Sequence, residues 1–209
     1  YVNAFENAGG STAHQLNNSG LIRKTNAGTQ TLLNAGAYTQ LAGATLDVDA
    51  GALNLTLNNA YSGTLNVDPG ATVLLPSGSH LFNSGLNLTG TGNLTLNGGT
   101  LTLGGAFTFG AATPLFSMSA GTLTSASALT ENQAFAWSGG SITGAGLLTT
   151  NGATTITNSP QLDGKTWNNA NTLTLGAGAS NRLTLANSAI VNNQSGATVL
   201  IDSSYVNAF

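Results

Sequence analysis

The chain contains no cysteine, which excludes a disulfide framework and thiolate metal ligation. It is also poor in charge: 5% of its 209 residues, against roughly a quarter in an ordinary globular domain. Its only cations are Arg23, Lys24, Lys165 and Arg182, too few to build a basic patch for nucleic acid or anionic lipid. A net charge of −3 calls for no basic partner either. No apolar run approaches the ~18 residues that a membrane-spanning helix needs, so no membrane insertion is expected. Also missing is any window with the 3.6-residue period of an amphipathic helix. The 28 glycines would weaken a helix by ~1 kcal/mol at each site. Low charge alone would suit disorder, but 41% of residues are apolar and they recur with period 2, so the chain should fold.

What is present is repetition. Ala44–Ala52 and Gly63–Ala71 align without a gap at an offset of 19 residues, with Thr, Leu, Val, Asp, Gly and Ala in matching places. In each, Leu and Val two apart point to one face of a strand and Asp47 or Asn66 points to the other. Gly51 or Gly70 then turns the chain. The segment 85–103 repeats Leu-x-Leu three times, with Leu inward and Asn or Thr outward. A second signature is an apolar residue followed by Asn-Asn: Asn17-Asn18, Asn58-Asn59, Asn168-Asn169 and Asn192-Asn193. These read as turns whose amides bond the same group one coil above.

A short strand, a turn and a return about twenty residues later make one coil of a solenoid. The expectation is an all-β chain, a right-handed parallel β-helix (β-solenoid) of roughly nine to ten coils in one domain, 1–209. Phe107, Phe109, Phe116, Phe135, Trp137 and Trp167 should fill the wide parts of its cross-section. Tyr1-Val2-Asn3-Ala4-Phe5 recurs letter for letter as Tyr205-Val206-Asn207-Ala208-Phe209. This predicts a tandem period of about 204 with residues 205–209 opening the next copy. Tyr1, Val2, Phe5, Tyr205, Val206 and Phe209 would then lie at a junction between units. Open strand edges at both ends would invite end-to-end pairing with further copies.

The stretches 17–25, 51–55 and 167–173 resemble repeats of very large bacterial exoproteins, of the filamentous-haemagglutinin-like and autotransporter-type adhesins. The resemblance implies a β-helix exported to the cell surface or beyond, acting as stalk, adhesin, sheath or filament, without catalytic residues. An uncharged Asn/Thr-rich exterior also suits weak binding of surface glycans.

Candidate chemistry is sparse, and an enzyme is not expected. Asp47, Asp49 and Asp68 fall on one face in adjacent coils and could hold Ca²⁺ or act as a carbohydrate-cleaving carboxylate set. Otherwise they are solvated turn residues, and no cation lies near them in sequence. His14 and His80 stand alone, without a second ligand, and read as surface or turn residues. The pairs Thr89-x-Thr91, Thr100-x-Thr102, Thr122-x-Thr124 and Thr172-x-Thr174 would make a flat Thr surface if they shared a face, as in an ice-binding solenoid.

Overall fold

A computed structural model describes residues 3–6, 8 and 14–207. Among the described residues there is no helix; short strands pair with partners one coil away, always in parallel. Register partners lie from 19 residues apart (Asp47 with Asn66) to 28 apart (Asn3 with Thr31). The chain therefore winds as a β-solenoid of about nine turns, about 40 Å long at the ~4.8 Å spacing of paired strands.

Each coil contributes one strand to each of three faces. The first face runs from Asn3–Phe5 and Thr29–Leu33 up to Thr172–Gly178 and Thr198–Ser203. The second runs from Gln15–Asn18 and Ala37–Gln40 up to Gln161–Asp163 and Thr184–Ala186. These two faces join in one sheet because Asn93–Leu103 and Leu115–Ser125 bend round the corner unbroken, with a register shift at Leu96/Asn97/Thr100. The third face is interrupted. Leu21–Lys24, Thr45–Val48, Thr64–Val67 and Asn87–Thr89 form one sheet; Phe107–Phe109, Leu129–Glu131, Leu148–Thr150, Thr166–Asn169 and Ile190–Asn193 form another.

Alternation explains the packing. Inward positions Leu46, Val48, Leu65, Val67, Leu94, Leu96, Leu101 and Leu123 are fully buried, and outward positions between them are not. Burying each such side chain is worth ~1.5–3 kcal/mol. The six large aromatics expected inside are all buried. Phe109, Phe116 and Phe135 stack with centroids 4.6 and 5.8 Å apart, and the line continues through Trp137 to Trp167. Tyr38, Tyr61 and Phe82 form a second aromatic line in the earlier coils.

The interruption of the third face falls where its inward residues change from Leu and Val to Phe107 and Phe109. No ladder joins the two sheets there. An open pocket of about 270 Å³ lies there, bounded by Leu86, Asn87, Leu88, Phe107 and Thr108. Leu86, Leu88 and Phe107 are 8%, 8% and 7% exposed, whereas Leu46 and Leu65 earlier on the same face are at 0%.

Candidate functional site

The aspartates belong to the outward side of the third face. Register places Arg23 beside Asp47, Asp47 beside Asn66, and Asn66 beside Thr89. Arg23 Nε lies 2.8 Å from Asp49 Oδ2 and 3.3 Å from Asp47 Oδ2. The hydrogen bond and charge of Asp49, then the charge of Asp47, raise the Arg23 pKa further. The Asn66 amide donates to Asp47 Oδ1 at 2.8 Å and to Asp68 Oδ1 at 2.7 Å, and Thr89 donates to Asn66 Oδ1 at 2.8 Å. A polar ladder thus climbs four coils and ends at the edge of the interruption.

Arg23 joins Asp47 to Asp49, and Asn66 joins Asp47 to Asp68. The cation beside them was missed, because Arg23 is far in sequence and one coil away in space. Aligning Leu21-Ile22-Arg23-Lys24 with Thr45-Leu46-Asp47-Val48 would have found it. Arg23 and Asn66 engage carboxylate oxygens that a Ca²⁺ would need, and among the described residues no three His, Cys, Asp or Glu side chains form a metal site.

The Asn pairs require a correction. They lie in strands, not turns: Gln15–Asn18, Asn58–Tyr61, Thr166–Asn169 and Ile190–Asn193. None has the positive φ that a sharp turn would demand. In three of the pairs the first Asn is outward and the second is buried: Asn18, Asn59 and Asn169. Asn18 and Asn169 accept from the backbone N–H two residues on and donate to a carbonyl one coil away, Thr45 O or Thr198 O, which closes the corner. A true amide ladder forms between two coils: Asn192 donates to Asn168 at 2.9 Å and Asn169 to Asn193 at 2.8 Å. Asn58 instead receives the Ser79 N–H at 3.0 Å.

Several polar side chains point into the core, which the sequence did not disclose. His80 is 1% exposed, not a surface residue. Its Nε2 lies 2.9 Å from Ser77 O, and its Nδ1 faces the Asn59 amide at 3.3 Å. Burial lowers its pKa against the raising effect of the Ser77 bond. His14 is exposed. Two of the four cations are interior: Lys24 donates to the carbonyls of Asn26 and Ala50, and Lys165 to those of Ser125 and Gly144. Desolvation lowers the Lys165 ammonium to about 8. Each lysine plugs a corner with its charge solvated by backbone oxygens, the compensation that a buried charge requires.

At the ends, inward columns are left uncovered. In the last coil Leu185 and Ile201 are 40% and 58% exposed, although their register partners Leu162 and Leu175 are at 0%. In the first coil Phe5 is 47% exposed over buried Leu33. Of the expected junction residues, Tyr1, Val2 and Phe209 lie outside the described residues. Asn3–Phe5 is a strand, while 205–207 has no strand, and Val206 is 93% exposed. Tyr205 carries the Arg182 guanidinium over its ring at 4.6 Å. No family model, curated protein or solved structure matches the chain.

Proposed function

We propose that this chain is a structural repeat module of a large secreted bacterial surface protein, extended by end-to-end stacking of β-helical units into a rod or filament. The observation that carries the reading is the pair of uncovered ends. Among the described residues, Leu185, Val199 and Ile201 in the last coil and Phe5, Leu16 and Ile22 in the first are wholly or partly uncovered, each set at the end of a continuous core. A second copy stacked in register would cover these side chains and continue the ladders. The recurrence of Tyr-Val-Asn-Ala-Phe after 204 residues supports a tandem arrangement.

Electron microscopy of native material, with mass determination under denaturing conditions, tests this. Filaments made of one chain many times 20.8 kDa are the expected result. Filaments that dissolve to single units would keep the stacking and make it non-covalent. Isolated particles would overturn the reading.

Carbohydrate cleavage has one observation in its favour, Arg23 beside Asp47 and Asp49. The same contacts count against it, since every carboxylate of the set already has a side-chain partner.

A further inference from the structure

The Thr pairs singled out in the sequence do not share one surface. Thr89 lies on the third face and Thr172 and Thr174 on the first. On the second face, however, Thr100 and Thr102 lie beside Thr122 and Thr124, and these lie beside Ser141 and Thr143. The row of Thr100 and Thr122 also continues to Ser79 in the preceding coil. The result is a two-by-three array of hydroxyls, repeating at ~4.8 Å across the strands and ~6.6 Å along them.

Three features set this array apart from a run of exposed threonines. First, its floor is rigid: the intervening inward residues Leu101, Leu123 and Ile142 are at 0% exposure. Second, each strand is launched by the same corner. Gly78 and Gly140 stand one residue before their strands, and Gly99 and Gly121 at the bends of the two long ones, all with positive φ, from 51° to 87°. A Cβ on Gly121 would sit 1.9 Å from the Gly98 carbonyl oxygen and one on Gly140 2.3 Å from that of Gly121. The corners nest backbone on backbone, which holds the strands flush. Third, none of the six hydroxyls has a hydrogen-bond partner among the described residues. No Asp, Glu, Lys or Arg occurs in 79–82, 100–103, 122–125 or 141–143; Asp163 follows beside Thr143 in the next coil, where the Asn187 amide engages its carboxylate.

We infer that this stretch of the second face binds an ordered plane of water, the surface of ice. The repeat across the strands is near the in-plane oxygen repeat of ordinary ice, while the repeat along them falls short of the axial one. Threonine suits the task because its χ1 is stiff, so hydroxyl and methyl are already aligned before contact and little side-chain entropy is lost. The absence of charge matters because an ion would impose a hydration shell of its own geometry. This site is separate from the ends and does not depend on filament assembly.

The test is ice growth in solutions of the full chain, read as crystal shape and as suppression of recrystallisation. Thr124→Tyr, at the middle of the array, is compared with Thr155→Tyr on the first face. The expected result is faceted crystals and suppressed recrystallisation with the unaltered chain and T155Y, and loss of both with T124Y. Circular dichroism confirms folding; if T124Y does not fold, Thr102→Tyr takes its place. Unshaped crystals with the unaltered chain, or full activity in the array variants, would overturn the inference. So would adsorption to a crystalline polysaccharide through the array with no effect on ice.

Discussion

Glu131 shows how much one buried residue decides. It ends the strand Leu129–Glu131, is 2% exposed, accepts the Gln133 N–H at 3.2 Å through Oε1, and has no partner at Oε2. Burial pushes its carboxyl up to about 8, against the lowering effect of the Gln133 bond. The folded pKa is thus raised above the unfolded value of 4.5. The stability linked to this group is fully present below about pH 4.5 and is lost as pH rises through about 8. Glu131→Gln keeps the shape and removes the titration. We expect urea unfolding to give similar stabilities at pH 4 and a variant more stable by a few kcal/mol at pH 9. A parallel pH dependence of the two proteins would refute this. A second residue-scale prediction concerns Gly121. With φ at 83° and the Gly98 carbonyl in the way, Gly121→Ala should cost about 2–4 kcal/mol, read from the denaturation midpoint.

At the scale of strands, alternation made the fold legible. Leu46 and Leu65 were read inward and Asp47 and Asn66 outward from period 2 alone, and register pairs them so. Asn18, Asn59 and His80 depart from the sequence reading because composition associates Asn and His with turns and surfaces. Whether such a residue faces inward depends on a partner twenty residues away, such as Tyr38 for Asn18 or Asn59 for His80. The interruption after Thr89 was equally hidden. Phe107-Thr108-Phe109 alternates like any strand, so nothing in its pattern marks the break. Trp137 lies at 0% exposure between Phe135 and Trp167 and donates Nε1–H to Gly139 O at 3.0 Å. Trp137→Ala should therefore cost about 3–5 kcal/mol, detectable as a lower urea midpoint in a chain that keeps its β signature.

For the whole molecule the ends matter most, and a substitution there separates stacking from folding. Ile201→Glu places a charge on an inward but uncovered position of the last coil. We expect sedimentation to show end-to-end association weakened, while the unfolding free energy of the single unit shifts by less than about 0.5 kcal/mol. Unchanged association would remove Ile201 from the contact. Of the two pentapeptide copies only Asn3 and Asn207 are described at matching positions, and of these only Asn3 lies in a strand.

The broken third face also has a mechanical meaning. Tension along the axis is carried by the strand-to-strand hydrogen bonds, and between most coils three ladders share it in parallel. Between Asn87–Thr89 and Phe107–Phe109 one ladder is missing, so two carry the full load. Stretched from its ends, the solenoid should yield first at that level, separating into an earlier block rich in Leu and Val and a later block held by stacked rings. A force trace would show one low first rupture followed by stronger ones, giving a stiff rod a built-in hinge at a fixed height.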